Sequence, residues 1–505
     1  MTSDPIHCAH VVGPGGALVG AQAIRIEGDR LAAIEPAAKP SSEPLLAMPA
    51  LVNAHDHGRA VSTSSIGADA KPLESWLPYL ALIPAADPYL AAAISFANSA
   101  LGGAGTVMVH YTRAQGLTAL PLEAAEVARA ARDVGIRAGF AVAMKDQNPL
   151  VYGPTEPILA ALPKAARAEI ERRLLRPPLT PRDAVALVDE VAAAAAGPGF
   201  DVQYGPNGVQ WCSQALLRAI AEASQNNGRR IHMHLLETRY QRQWADAHYP
   251  GGMVRMLDQI GLLSPRLTVA HAVWARPDEL ALLAERGVTI SVNTSSNLHL
   301  HSGLAPVADM QRAGCRIALG IDGKALDDDD DALRELRLSY LLHAGHGFAH
   351  APRIEALHAA VRHGRFAVTN IADSGAIEAG ATADLLLLDW AALDPDQLFE
   401  AMRVDGAGAV GVFRYLVIPL TRPIAAAVVI FTLIGAWNDY LMPLVFLTSQ
   451  SMQTITLVPT FFTGEFNDDQ TKILASAVMT AIPEIIAYLC LQRQFERGLT
   501  AGAIK

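Results

Sequence analysis

The sequence predicts an α/β fold built around a (β/α)8 barrel of the TIM type. Two observations carry this prediction: short apolar segments recur along the chain, and Ala-rich helical patterns such as LEAAEVARAARDVG lie between them. Eight strands alternating with helices are typical of such a barrel. The candidate strands are 50–54, 106–110, 136–143, 200–205, 230–236, 267–271, 288–293 and 316–322.

Segments on both sides of the barrel read as β structure. Residues 1–49 alternate short β patterns with turns, and AIRIEGDRLAAIEP predicts a hairpin around Gly28 and Asp29. Residues 376–390 read as a turn and a strand outside the barrel. We therefore expect a small β-sandwich made of residues 1–49 and 366–395, with the barrel between them at 50–365.

Composition restricts the class of protein. The chain has 505 residues and a net charge of −10, without the basic face of a nucleic-acid-binding protein. Its four cysteines lie far apart and form no CxxC pair, which favours a reducing compartment. The N-terminus lacks the basic and apolar regions of a signal peptide. We expect the barrel to lie in the cytoplasm.

The C-terminal region differs from the rest of the chain. Mean hydropathy is +0.22, and the excess comes from two apolar stretches at 423–447 and 473–491. Each is long enough to cross ~30 Å of hydrocarbon as a helix. Basic residues lie outside both stretches, which by the positive-inside rule places these flanks in the cytoplasm. The sequence thus predicts an all-α segment at 396–505 with two transmembrane helices, which would attach the chain to a membrane.

Metal-binding residue types occur where predicted strands end. His55 and His57 follow the first strand, His234 and His271 end the fifth and sixth, and Asp322 ends the eighth. Each taken alone has an ordinary structural explanation, such as a buried histidine bonded to a carbonyl oxygen or an aspartate capping a helix. Together they fall at the barrel face that carries catalytic groups. Three imidazoles and a carboxylate suit a zinc-like ion.

These segments resemble the amidohydrolase superfamily, in particular its cytosine deaminase-like and chlorohydrolase-like branch, over residues 1–390. The matching motifs are PALVNAHDH, HMHLLET, VAHAVW, NTSSNLHLHSGLAP, ALGIDG and IEAGATADLLLLD. The resemblance implies that His55, His57, His234 and Asp322 bind one divalent ion, zinc or, as the alternative, iron. It implies a single ion because the fourth strand offers no lysine to bridge two metals.

The resemblance also implies a reaction. Asp322 would accept a proton from water, His271 would orient that water, and Glu237 would protonate a ring nitrogen or leaving amine. The alternative for Glu237 is a surface carboxylate on a loop. The substrate would be a small nitrogen heterocycle or cyclic amide, deaminated or dechlorinated, and Glu237 favours deamination.

Several residues near predicted strand ends are candidates for substrate contacts. For each of them, packing or solvent exposure is an equally good explanation. They are Trp76, His110, Gln147, Asn148, Tyr204 and Asn297. The acidic run 327–331 reads as a solvated turn before a helix, with a cation-recognising lip as the alternative.

The tail resembles the C-terminal part of an ABC sugar-importer permease. The family's coupling-loop pattern corresponds here to Glu400, Ala401, Gly406 and Pro419. That resemblance implies an ABC ATPase subunit as a possible partner and the membrane as a second one. A permease of this kind normally has about six spans, and the β-sandwich normally has more strands, so both parts look truncated. Besides a hydrolase, the chain could therefore be a transport component carrying the barrel as a passenger, or an inactive hybrid.

Overall fold

The computed structural model describes most of the chain. It covers residues 4–37, 44–175, 177–323, 329–344, 356–372, 375–393, 409–419, 421, 432, 435–447, 449–464 and 468–500. The chain divides into two compact units, Met1–Trp390 and Ala391–Lys505.

Two small sheets precede the barrel in the first unit. Their strands are β1 (Ile6–Cys8), β2 (His10–Val12), β3 (Leu18–Val19), β4 (Gln22–Glu27), β5 (Arg30–Pro36) and β6 (Leu45–Pro49). β4 and β5 form the predicted antiparallel hairpin, and Gly28 takes the left-handed conformation (φ +62°) at its turn. β6 pairs with β15 (Leu385–Asp389), so the strand predicted near residue 390 completes a four-stranded sheet.

The eight predicted barrel strands are all present and parallel. They are β7 (Leu51–Asp56), β8 (Ala104–Tyr111), β9 (Arg137–Met144), β10 (Phe200–Pro206), β11 (Ile231–Leu235), β12 (Leu267–His271), β13 (Thr289–Val292) and β14 (Arg316–Leu319). Neighbouring strands pair in chain order from β7 to β14. The eight parallel strands form a nearly closed barrel, which confirms the predicted TIM-type fold.

Helices follow the barrel strands and cover the sheet. The α-helices of the first unit are Leu73–Trp76, Pro88–Leu101, Leu120–Val134, Glu156–Ala161, Lys164–Leu174, Pro181–Ala194, Gln214–Asn227, Arg239–His248, Met253–Gln259, Pro277–Glu285, Thr294–His299, Val307–Arg312, Ala332–Ala344 and Gly364–Thr369. One further short helix, Trp390–Leu393, includes the residue at which the chain divides into the two units. Shorter 3-10 segments are Pro14–Gly16, Thr63–Ile66, Leu77–Leu82 and Val209–Trp211, and Ala359–His363 is a π-helix.

The hydrophobic core lies between the strands and this helical layer. Phe140 of β9, Leu216 of the helix after β10 and Leu267 of β12 are each at most 1% exposed. Because both faces of the sheet are covered, the strands read as continuous apolar runs instead of alternating ones. The polar residues at their carboxyl ends are therefore exceptions that need an explanation.

The second unit contains the predicted membrane segment. Its described helices are Ala409–Val412, Leu441–Phe446 and Gln470–Thr500, with a π-helix at Phe413–Val417 and 3-10 segments at Gln450–Met452 and Ile455–Phe462. The second predicted span falls inside Gln470–Thr500, and much of the first lies outside the described residues. Among the residues that the structure describes, no helix is both long and apolar enough to cross a membrane.

The predicted coupling loop is only partly described. Glu400, Ala401 and Gly406 lie outside the described residues, and Pro419 is exposed at the end of a short helical segment. Residues 394–400, where the two parts of the chain were expected to join, are outside as well. The coupling loop thus stays a prediction.

Candidate metal centre

The barrel brings the predicted metal and catalytic residues to its carboxyl-terminal rim. They come from four strands: His55 in β7 and His57 just after it, His234 in β11 and Glu237 just after it, His271 at the end of β12, and Asp322 after β14. None of the six is more than 9% exposed. Clustering of this kind is the arrangement that the strand-end argument predicted.

Four of these side chains converge on one point. One potential ligand atom each from His55, His234, His271 and Asp322 lies within 4.8 Å of all the others. This set contains His271 where the sequence predicted His57. His57 is nevertheless close, because its Nε2 lies 2.9 Å from Oδ1 of Asp322. The geometry is therefore compatible with the predicted ligands His55, His57, His234 and Asp322, and His271 lies beside them.

In two of the imidazoles, Nδ1 is engaged away from this centre, which leaves Nε2 to face it. Nδ1 of His57 lies 2.7 Å from the backbone oxygen of His110. Nδ1 of His234 lies 2.7 Å from the backbone oxygen of Asn207. A carbonyl oxygen only accepts, so both Nδ1 atoms carry the proton and both Nε2 atoms keep a free lone pair. This is the tautomer that a metal ion requires.

Two buried atoms at the centre have no hydrogen-bond partner among the described residues. They are Nε2 of His55 and Oδ1 of Asp322, which lie 3.1 Å apart. A buried polar group without a partner is costly, and an ion between them would satisfy both. The orphaned atoms and the nitrogen-and-oxygen donor set therefore fit a divalent metal ion.

Electrostatics favour the protonation states that bind a cation. Burial lowers the pKa of His55 to about 4 and holds the pKa of His234 well below its usual value. Burial alone would raise the pKa of Asp322, but His55 and His57 outweigh it and hold this pKa well below the usual range. At neutral pH the imidazoles of His55 and His234 are neutral and the carboxylate of Asp322 is charged.

The backbone is strained where these residues sit. Leu236, His271 and Asp322 have φ values of +49°, +72° and +69°. Non-glycine residues rarely adopt this left-handed conformation, and they persist in it only where the surrounding structure holds them. Three such residues at one rim of the barrel mark it as a functional site.

Glu237 is a buried carboxyl group beside the cluster. Its Oε2 lies 3.9 Å from Nε2 of His271, and its backbone N–H donates to Oε1 of Gln241. Burial raises the pKa of Glu237 to about 7, with the carboxylates of Asp322 and Glu74 adding to the shift and His271 opposing it. The predicted surface alternative for Glu237 is therefore wrong: it is 2% exposed.

Two of the six predicted substrate contacts lie at the cluster. His110 stacks on His234 with ring centroids 4.8 Å apart, and it is fully buried. Asn297 places Oδ1 2.9 Å from Nδ1 of His271, so it orients that imidazole. Both surround the centre, although Asn297 is engaged by a protein side chain.

The other four are engaged in the protein itself. Gln147 and Asn148 donate their amide N–H groups to backbone oxygens of Cys212 and Gln210, which ties together the loops after β9 and β10. The indole N–H of Trp76 donates to Thr63, and its ring packs in a small buried cluster. These contacts hold the loops around the rim.

Tyr204 is a correction to the predicted set. It is fully buried, its hydroxyl accepts a hydrogen bond from Asn227, and the guanidinium of Arg229 lies 5.7 Å from its ring centroid. Both partners lie between the helix after β10 and the start of β11. Tyr204 therefore packs in the helical layer, because alternate strand residues point away from the barrel interior.

Sequence reasoning did not single out three residues at the site. His232 places Nε2 2.7 Å from Nδ1 of His55, Ser296 donates to Oδ2 of Asp322, and Glu74 accepts from Thr238. His232 could have been noticed, since RIHMHLL repeats the His-x-His pattern of the first strand. Ser296 and Glu74 had no local signal, because their roles depend on loops that fold over the rim.

The fold and the site together define a (β/α)8-barrel protein with a metal-binding centre at its strand ends. The sequence profile of the amidohydrolase family matches residues 46–413. The chain belongs to that family. A second profile, the binding-protein-dependent transport system inner membrane component, matches residues 392–500. Both resemblances inferred from the sequence are thereby confirmed.

Curated relatives are deaminases. A 5'-deoxyadenosine deaminase of Methanosarcina barkeri is 33% identical over 39% of this chain and 45% of its own length. A 5-methylthioadenosine/S-adenosylhomocysteine deaminase of Moorella thermoacetica is 28% identical over 75% of this chain and 84% of its own. The match spans less than half of the first of these two relatives.

Solved structures share the fold. A zinc-bound adenosine deaminase from Xanthomonas campestris has a TM-score of 0.61 at 24% identity, covering 78% of this chain and 86% of its own. A mutant atrazine chlorohydrolase from Arthrobacter aurescens, complexed with zinc and atraton, has a TM-score of 0.63 at 22% identity, covering 76% and 86%. At these identities the likeness establishes the architecture of the barrel.

Proposed function

We propose that this chain is a metal-dependent deaminase that hydrolyses an amino group from a small nitrogen heterocycle, releasing ammonia. The convergence of His55, His234, His271 and Asp322 on one buried point carries this proposal. His55, His57, His234 and Asp322 would hold the ion. The donor set suits zinc, as in the zinc-bound structural neighbour, and iron would also accept it.

The residues around the centre divide the proton transfers. A bound divalent ion would supply Lewis acidity and make water nucleophilic near neutral pH. Asp322, whose Oδ2 already accepts from Ser296, keeps Oδ1 free to take a proton from water. His271 presents Nε2 3.9 Å from both Asp322 and Glu237, where it can orient the attacking water.

Glu237 supplies the proton that deamination needs. With a pKa raised to about 7, its carboxyl group holds a proton at neutral pH. Its Oε1 is buried without a hydrogen-bond partner among the described residues, so it is free to meet substrate. A ring nitrogen or departing amine would receive this proton, and water's hydroxyl would replace the amino group.

The substrate we favour is an adenosine-type nucleoside. The curated relatives that the chain matches are deaminases of adenosine derivatives. Glu74 supports this choice, because Oε1 accepts from the hydroxyls of Tyr152 and Thr238 whereas buried Oε2 has no hydrogen-bond partner among the described residues. Glu74 bonds to Thr238, the residue after Glu237, and its unpaired carboxylate oxygen suits a sugar hydroxyl.

Ammonia release from the full-length protein tests this proposal. Purified protein with its metal content measured is incubated with adenosine, 5'-deoxyadenosine, guanine, cytosine and a chlorotriazine. Ammonia from a purine supports deamination, and chloride from the triazine would favour the dechlorinating alternative instead. No turnover in a metal-loaded, folded preparation would leave the inactive hybrid as the better explanation.

For the whole chain we propose four parts with the boundaries 1–49, 50–365, 366–395 and 396–505. The last part would associate with a bacterial inner membrane, as its transport-family profile suggests. Its described helix Gln470–Thr500 carries exposed apolar side chains, namely Leu474, Val478, Met479, Ile482, Ile485, Ile486 and Leu489. Exposed apolar surface of this kind favours a membrane or protein contact.

A transport role is the second candidate function. It requires the coupling segment Glu400–Pro419 to bind an ABC ATPase subunit. Flotation of cell membranes tests the membrane contact, and affinity purification of the full chain from detergent extracts tests the ATPase. A full-length chain that stays out of the membrane fraction would remove this candidate.

A further inference from the structure

We propose that His232 is a positioning residue that fixes the tautomer of His55 and thereby sets the affinity of the metal centre. The proposal rests on the metal-dependent function argued above. Nε2 of His232 lies 2.7 Å from Nδ1 of His55, and the planes of the two rings are nearly parallel, with an angle of 16° between them. Both residues are fully buried, so no water competes for this hydrogen bond.

The direction of the bond follows from the geometry of His55. Its Nε2 faces the cluster, 3.1 Å from Oδ1 of Asp322, and this nitrogen must keep its lone pair to bind an ion. A neutral imidazole with Nε2 free carries its proton on Nδ1. Nδ1 of His55 is therefore the donor, and Nε2 of His232 is the acceptor.

His232 must then carry its own proton on Nδ1. A doubly protonated His232 would set two N–H donors against each other across 2.7 Å, which the bond cannot tolerate. Its Nδ1 is buried and has no hydrogen-bond partner among the described residues. An unpaired buried donor of this kind is unfavourable. His232 thus occupies a state that is unfavourable by itself and useful to His55.

His55 differs from the other two imidazoles in this respect. His57 and His234 are oriented by backbone oxygens of His110 and Asn207, which no side-chain substitution removes. His55 depends on a side chain. Replacing His232 therefore removes the orientation of one ligand and leaves the other two in place.

Two variants of the full-length protein separate orientation from packing. His232→Gln keeps an acceptor near the position of Nε2, and His232→Leu keeps apolar volume without an acceptor. Chelator competition with Zn²⁺ measures the affinity of each. We expect His232→Leu to bind Zn²⁺ about 10–100-fold more weakly than wild type and His232→Gln to recover most of the loss.

The metal-free proteins provide a readout that a structural role would not produce. Leu removes one unpaired buried donor, Nδ1 of His232, and leaves another, Nδ1 of His55, so His232→Leu without metal should unfold close to the wild-type temperature. Its stabilisation by added Zn²⁺ should nevertheless be smaller. Nitrogen NMR of the wild type should show His55 with its proton on Nδ1. This measurement does not require the protein to turn over a substrate.

A distant, partly buried histidine serves as the control. Nδ1 of His363 lies 2.7 Å from the backbone oxygen of Ile317, near the start of β14 and away from the rim. His363→Leu should leave Zn²⁺ affinity unchanged. If His232→Leu fails to fold, His232→Asn replaces it, because Asn is too short to reach His55 whereas Gln is not.

The outcomes distinguish this proposal from the proposed function. Wild-type protein that binds no Zn²⁺ overturns both. Wild-type protein that binds Zn²⁺ with the same affinity as His232→Leu, or equal affinities for the Gln and Asn variants, overturns only the role of His232. A weakened Leu or Asn variant together with a recovered Gln variant supports it.

Discussion

The backbone N–H of Asp322 donates a hydrogen bond to the backbone oxygen of His55 across 2.8 Å. This bond joins the chain after β14 to the end of β7, where the barrel closes. The same two residues place Oδ1 and Nε2 3.1 Å apart in the centre. The same two residues therefore join the ends of the barrel sheet and contribute to the metal site, and substitutions at either residue should affect both.

Removal of one metal ligand should abolish metal binding and turnover together. We expect Asp322→Asn to lower Zn²⁺ content well below one ion per chain and kcat by more than about 100-fold, since even outer residues of metal sites cost 10–100-fold. Metal analysis and ammonia release measure the two effects. His234→Ala should behave alike. Full turnover by a metal-free variant would contradict the assignment.

Glu237 should control the alkaline side of the pH profile. A general acid with a pKa of about 7 loses its proton as pH rises through 7, so kcat should fall above neutrality. Glu237→Gln should lower kcat by about 10²–10⁴-fold and remove that decline. Initial rates from pH 5 to 9 provide the measurement. An unchanged alkaline limb in the variant would assign it to another group.

The same carboxyl group should make the metal-free protein less stable at high pH. Burial raises its pKa from 4.5 to about 7, so the folded state prefers the protonated form. Its stabilising contribution is complete below pH 4.5 and is lost as pH rises through 7, a difference of about 3 kcal/mol. Urea unfolding with a chelator should show Glu237→Gln gaining stability over wild type between pH 5 and 8. A constant difference would mean that the group is ionised throughout.

Glu74 should discriminate nucleosides from free bases. Loss of a hydrogen bond to a charged group costs about 1.5–3 kcal/mol, or about 10–150-fold in kcat/KM. We expect Glu74→Gln to lose this factor on adenosine and to leave any turnover of a free purine base unchanged. Steady-state kinetics on both substrates test this. Equal losses on both substrates would mean that Glu74 acts by supporting Glu237, because Glu74 contacts Thr238, the next residue in the chain.

The lack of a side chain at Gly320 should be essential to the packing around His55. A Cβ atom there would clash with Oδ1 of Asn293 and would lie 2.8 Å from Cβ of His55. Gly320→Ala must therefore displace a ligand-bearing strand, and we expect weaker Zn²⁺ binding by chelator competition. Gly251→Ala is the control, since nothing lies within 4 Å of its added Cβ. Equal affinity in both variants would show that the rim can relax.

The barrel was predictable because each strand has a local sequence signal. Apolar runs such as FDVQYG and LTVAH recur between helical patterns, and polar ligands stand where the runs end. Parallel strands put their carboxyl ends on one rim, so His55, His234 and Asp322 could be expected to meet before any contact was known. The order of motifs added the family.

Side-chain direction was harder to predict. Tyr204 lies close to a strand end, as His234 and His271 do, yet it packs in the helical layer with Asn227. Asn297 was a candidate for contact with the substrate, and its side chain lies within hydrogen-bond distance of His271. Whether a residue points into the barrel depends on strand register and tilt, which a short apolar run does not specify.

Local sequence patterns were enough to predict the eight-stranded barrel, the residue types at its rim and the family. Three-dimensional contacts were needed to show which nitrogen of each imidazole faces the centre, that Glu237 is buried enough to hold a proton near neutral pH, and that His232 bonds to His55. The reason is physical: protonation and tautomer depend on burial and on contacts between residues such as His55 and His232, which are 177 positions apart in the chain. Local patterns carry no information about such contacts.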